Sequence, residues 1–173
     1  NTSLEVTISI DNGYGYFQTR IQSWLDPFAD SLGGTWQTCQ SLIAIGSGGF
    51  FGLGLGESRQ KYLYLPETKN DFVFSIVCEE LGFVGALTVV LLFAFLIIRG
   101  FHIATHAQDK FGMLLTVGFV MHIGLQAFIN IAVVSNLVPN TGISLPFFSY
   151  GGTALMLQLA EMGIVLNVSR VRY

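Results

Sequence analysis

Asp71 stands in the stretch LPETKNDFVFSIVCEELG, directly ahead of a long apolar run, with Arg59, Lys61 and Lys69 upstream and Glu67, Glu79 and Glu80 close by. A carboxylate in that setting is a titratable group in a mixed-charge site at a lipid interface. Partial burial beside a bilayer raises its pKa and neighbouring cations lower it, so the sequence leaves the balance open. On residue type alone the stronger reading is structural: an aspartate at a helix start accepts backbone N–H bonds and favours the positive end of the helix dipole. Glu79 and Glu80 lie further into the helix, where an ionisable group within a membrane faces a cavity or a partner.

A second constellation is His122, Gln126 and Asn130, spaced every four residues and therefore on one helical face. The favoured reading of this polar stripe is interhelical hydrogen bonding, with Gln158 and Glu161 of the last apolar segment as partners. The competing reading is a path for a transported solute. Cys39 and Cys78, the only cysteines, match no metal-ligand or redox spacing and read as small hydrophobes.

These residues need a membrane to be placed in. Of 173 residues, 51% are hydrophobic and 11% charged, and the mean hydropathy is +0.59, too apolar for an ordinary soluble domain. The net charge of −3, with scattered basic residues, excludes a nucleic-acid surface. The run LGFVGALTVVLLFAFLII, residues 81–98, carries no charge and predicts a spanning helix. Residues 111–138 form a second span that contains the polar stripe. Residues 153–168 form a third, shorter one, assigned to the membrane because two spans precede it. Helices are required because hydrocarbon leaves no other partner for backbone polar groups.

Lysine and arginine placement orients the chain. Residues 99–110 carry Arg99, Lys110, His102 and His106, the tail 169–173 carries Arg170 and Arg172, and the connection 139–152 carries no basic residue. The first connection and the tail are expected in the cytoplasm, which puts 139–152 on the outer side. Arg59, Lys61 and Lys69 weaken the count, but parity sends residues 20–71 to the outer side as well, with the first span at 72–98. In that outer segment WLDPFADSLGGTWQ reads as turns and interfacial aromatic anchors, and QSLIAIGSGGFFGLGLG either as a glycine-rich re-entrant or interfacial segment bringing backbone close to a ligand or another helix, or equally as a flexible loop. It has neither a GxGxxG nor a P-loop pattern. Residues 1–19 show no signal peptide, and the alternation Leu4, Val6, Ile8, Ile10 suits a short strand. The expectation is a fragment whose upstream membrane helices are missing.

Two long motifs, GLGLGESRQKYLYLPETKNDFVFSIVCEELGFVG and PNTGISLPFFSYGGT, strongly resemble the SEDS proteins, the RodA, FtsW and SpoVE membrane proteins of bacterial wall synthesis. The resemblance covers about Arg20 to the C-terminus, and the ending MGIVLNVSR looks more like the FtsW and SpoVE branch. It implies an all-α polytopic membrane protein, here the C-terminal part of a multi-helix bundle with a large extracellular loop, in the bacterial cytoplasmic membrane. It also implies a peptidoglycan glycosyltransferase that polymerises lipid II during division, elongation or sporulation, beside a class B penicillin-binding protein. As a fragment, the chain itself is expected to be inactive.

In that family an aspartate after an LPE motif and before a phenylalanine is essential for polymerisation, and Asp71 matches it, with Asn70 in place of the usual threonine. The implied role is general base on the acceptor hydroxyl, in a single inverting displacement. Arg59 and Lys61, or a divalent cation, would neutralise the leaving diphosphate, and Glu67 would hold such a cation or shape the loop. Gln126, Asn130, Pro139, Pro146, Ser149, Gly151 and Gly152 would border the same cavity. Residues 1–19 depart from the family pattern, which has a membrane helix there. Two other function classes stay open: a lipid-precursor flippase or transporter, for which the His122 stripe matters more than Asp71, and a non-enzymatic scaffold for a penicillin-binding protein, which tolerates loss of Asp71.

Overall fold

The computed structural model describes residues 20, 21, 24–26, 28, 36–54, 72–148 and 151–170. The strand expected at residues 4–10, and Arg59, Lys61, Glu67, Asp71 and Ser149, lie outside the described residues. The helices bounded among the described residues are α1 (Trp36–Ser47), α2 (Val73–Thr105), α3 (Lys110–Val134) and α4 (Gly152–Arg170). Among the described residues, α2, α3 and α4 are long and apolar enough to cross a membrane. Among the described residues the regular structure is all helical, and the chain is a membrane protein.

The core that joins them is small and lies toward one end. Phe72, Phe74, Cys78, Val89 and Phe93 from the α2 region, Ile123, Ala127 and Val134 from α3, and Leu145 from the α3–α4 connection form one buried cluster. Elsewhere large apolar side chains face outward, among them Leu91, Phe95, Leu114, Phe128 and Leu157. That is the pattern of helices whose surroundings are as apolar as their interior. Cys39 and Cys78 are both buried and free, as small hydrophobes in a packed interior are.

The helix bounds differ from the apolar runs for local reasons. α2 is 33 residues long and passes Ile98, through Arg99 to Thr105, about 50 Å at the usual rise, so it outreaches a hydrocarbon core of about 30 Å. Nothing in RGFHIAT breaks a helix, and it closes only where the His106 N–H turns to the carbonyls of Ile103 and Ala104. α3 stops at Val134, short of the apolar pair Leu137 and Val138. Asn136 adopts φ 58°, its N–H bonds the Val133 carbonyl at 3.0 Å, and the Leu137 N–H bonds that of Ala132 at 2.8 Å. This is a Schellman closure with asparagine in the left-handed position that glycine usually takes.

α2 is also broken internally. Gly82 has φ 66° and ψ −162°, a region essentially restricted to glycine. The break disconnects the Phe83 and Val84 N–H groups from the carbonyls of Glu79 and Glu80. The glycine-rich loop after α1 takes all four places: Phe83 N donates to Gly49 O (2.9 Å), Val84 N to Phe50 O (3.3 Å), Leu53 N to Glu79 O (3.0 Å) and Gly54 N to Glu80 O (3.1 Å). In a membrane each unsatisfied backbone group costs several kcal/mol, so an interrupted helix persists only where another backbone completes it. The approach requires bare backbone on both sides: a Cβ on Gly82 would meet the amide nitrogen of Gly52, and one on Gly52 the carbonyl of Glu80. Residues 49–54 of the glycine-rich stretch thus lay their backbone onto α2.

Candidate functional site

The site is assembled where α1, the start of α2 and the α3–α4 connection meet. Residues 139–145 of that connection follow neither helix nor strand, so their polar groups need partners from elsewhere. The α3 stripe supplies them. Asn130, fully buried, donates Nδ2 to Ile143 O at 2.7 Å, and Gln126 donates Nε2 to Ser144 O at 3.1 Å. From α4, Gln158 donates Nε2 to Gln126 Oε1 at 3.2 Å and accepts the Phe147 N–H on Oε1 at 2.9 Å. Both glutamine amides are therefore spent at both ends on fixing the connection. At the far end of the stripe His122 Nδ1 lies 3.2 Å from Glu161 Oε2. Gln158 and Glu161, the expected partners, are the ones found.

The connection held in this way is buried at its centre and strained after it. Leu145 is fully buried and Pro146 nearly so, while Phe147 adopts φ 65°, rare for a large side chain. Pro139 and Gly151 are half-buried, and Gly152 opens α4. Gln126 and His122, with Gly142, Ile143 and Ser144, also border an open cleft.

The segment ahead of α1 docks against the same region. Trp24 Nε1 donates to Asn136 O at 3.2 Å and Asn136 Nδ2 returns a bond to Trp24 O at 3.1 Å. Arg20 Nη1 donates to Asn140 O at 2.6 Å, and from α1 the Ser41 hydroxyl donates to Val134 O at 3.1 Å. The left-handed Asn136 thus does more than end a helix, since its amide also fastens the earlier segment. Sequence reasoning missed this pair and Arg20. An asparagine immediately after an apolar helix is a helix-stop signal, but nothing in a sequence names a carbonyl more than a hundred positions away.

Phe72 is the helix-capping residue of α2, and it caps without a side-chain bond. It is buried in the cluster that includes Leu145. The residue bonded to Asp71 is therefore fixed in the core that holds the second motif, although Asp71 itself lies outside the described residues. One turn deeper, Ser75 is fully buried and its hydroxyl bonds Phe72 O at 2.7 Å. Glu79 is 1% exposed, and Glu80 carries a buried oxygen, Oε1, with no hydrogen-bond partner among the described residues. A buried carboxylate oxygen is costly unless paired, which makes Glu80 Oε1 a demanding feature of the α2 entry. Among the described residues no three His, Cys, Asp or Glu side chains converge as metal ligands.

Known proteins resemble this chain in sequence and in fold. Residues 3–173 match the model of the FtsW/RodA/SpoVE family, described as cell cycle proteins, a match that reaches further toward the N-terminus than the resemblance starting at about Arg20. Stage V sporulation protein E of Bacillus subtilis is 53% identical over 87% of this chain and 41% of its own length. The probable peptidoglycan glycosyltransferase FtsW of the same organism is 50% identical over 87% of this chain and 37% of its own.

Among solved structures, one described as structural coordination of polymerization and crosslinking by a peptidoglycan synthase complex aligns with a TM-score of 0.67 and 33% identity, covering 89% of this chain and 41% of the solved one. An aspartate-to-alanine mutant of the Thermus thermophilus rod shape determining protein RodA aligns with a TM-score of 0.59 and 38% identity, covering 77% and 40%. The chain spans about two-fifths of the length of these relatives. It belongs to the FtsW/RodA/SpoVE family, the SEDS proteins.

Proposed function

We propose that this protein polymerises lipid II into glycan strands at the outer face of the bacterial cytoplasmic membrane, and that Asp71 is the general base. The observation that carries the proposal is the meeting of its two resemblance motifs: Phe72, bonded to Asp71, and Leu145, within ISLPF, share one buried cluster. The irregular 139–148 connection and the aspartate's attachment point then face the same compartment, where a lipid-linked sugar is presented at headgroup level. Relatives named peptidoglycan glycosyltransferases support the reaction class.

In the reaction proposed, the acceptor hydroxyl attacks the anomeric carbon of the donor as its proton passes to the Asp71 carboxylate. The bond from that carbon to the diphosphate oxygen breaks, and an α-linked donor becomes a β-linked product in one inversion. Negative charge grows on the departing diphosphate, and Arg59 and Lys61 are assigned to stabilise it, with Glu67 shaping the loop between them and Asp71. A divalent cation held in part by Glu67 would serve the same end; among the described residues no three His, Cys, Asp or Glu side chains converge to hold one. A class B penicillin-binding protein is the proposed partner, in keeping with the synthase complex among the similar structures.

A transporter would keep the polar groups of its path exchangeable. Here the Gln126 and Gln158 amides are committed to Ser144, Phe147 and each other, which favours the enzyme reading. The test is whether lipid II polymerisation survives Asp71→Asn in the full-length protein with its partner's transpeptidase blocked.

A further inference from the structure

At the end of the bundle away from that site, α2 and α4 part to leave an apolar groove of about 600 Å³, floored by Val120 of α3 and walled by Leu96, Val165 and Leu166, with Arg99 and Ser169 at its polar margin. The volume falls within the range of about 300–1,000 Å³ that holds small ligands.

The margin is positively charged. Arg99 is exposed and has no hydrogen-bond or ion-pair partner among the described residues. Ser169 spends its hydrogen on Leu166 O at 2.7 Å, so Arg99 is the principal donor at the groove. Arg170, also exposed, follows Ser169 in the last turn of α4. No acidic residue lines the groove.

We propose that this groove binds one anionic phospholipid from the leaflet beside the α2–α3 connection, with an acyl chain against Leu96, Val120, Val165 and Leu166 and its phosphate on Arg99. An arginine stem lies along apolar surface while its guanidinium reaches headgroup level, and its planar donor fork matches a phosphate in two parallel bonds. Basic pockets between membrane helices are sites of anionic headgroups for this reason. The ligand is a structural lipid, chemically distinct from the sugar-bearing substrate and on the opposite side of the bundle from residues 139–148.

The experiment titrates full-length protein in neutral detergent with dioleoyl-phosphatidylglycerol or dioleoyl-phosphatidylcholine and reads bound lipid by native mass spectrometry. The expected result is a preference for phosphatidylglycerol that Arg99→Gln reduces about tenfold, or about 1.4 kcal/mol, with phosphatidylcholine binding and the lipid-free melting temperature unchanged. Leu92→Trp, which fills the groove wall from an exposed position, is expected to weaken both lipids. The proposal is overturned if Arg99→Gln binds phosphatidylglycerol as the wild type does, or if neither lipid is preferred. A Leu166→Cys variant that cross-links to another segment of the full-length chain would also overturn it, since the groove would then be filled by protein.

Discussion

Gln126 and Gln158 face each other across the α3–α4 interface with the Gln158 amide nitrogen 3.2 Å from the Gln126 amide oxygen, and each uses its other end to hold the backbone of residues 144 and 147. Loss of either leaves one end of the other amide, and a backbone group, without that partner. Gln158→Leu is expected to lower the melting temperature of full-length protein in detergent by a few degrees, from a loss of about 1–2 kcal/mol. In a double-mutant cycle with Gln126→Leu the two changes should cost less together than their sum. Strict additivity would mean that the two amides act independently.

Gly82 is the point at which α2 hands its hydrogen bonds to the loop 49–54. Gly82→Ala puts a Cβ into the Gly52 amide and strains a backbone only glycine adopts, so folded protein should be lost or its melting temperature should fall steeply. Gly118→Ala is the control: it lies in open space within α3, and it should leave the melting temperature unchanged or raise it slightly. Equal tolerance at both positions would contradict the inserted-loop account.

The three spans were legible because charge-free apolar runs leave few alternatives, and the polar stripe because side chains four apart share a face. Its partners Gln158 and Glu161 were legible too, as polar residues in a third apolar segment. The break at Gly82 was not, since one glycine inside LGFVGALTVV leaves the apolar run intact and composition does not show which carbonyls have lost their donors. The continuation of α2 to Thr105 was hidden because Arg99 ends the apolar run without ending the helix. The backbone groups of Ile143, Ser144 and Phe147 carry the site's hydrogen bonds, and backbone groups are the same in every sequence.

Asn136 combines two functions that substitution can separate. Asn136→Gly keeps the left-handed turn and loses the bond to Trp24 O, whereas Asn136→Ala loses that bond and also meets the left-handed penalty of about 1–2 kcal/mol. Thermal unfolding should therefore rank wild type above Asn136→Gly and that variant above Asn136→Ala. If the glycine variant matched the wild type, the Asn136 side-chain bond to Trp24 O would contribute nothing to stability.

His122 is more than half exposed beside Glu161, at the end of the stripe furthest from the Asn130 bond to the connection. The glycosyltransferase account expects His122→Ala to retain polymerisation near the wild-type rate. A transporter account expects that substitution to be as damaging as any at Asp71. Lipid II polymerisation and lipid-precursor translocation assays on the same variant separate the two.

The most direct test is lipid II polymerisation by full-length protein with its penicillin-binding partner, the transpeptidase blocked, comparing wild type with Asp71→Asn. The account predicts glycan strands from the wild type and none from the asparagine variant, with both proteins equally folded and equally able to bind the partner. Strands of normal length and rate from Asp71→Asn would contradict it, leaving Asp71 a structural residue at the entry to α2.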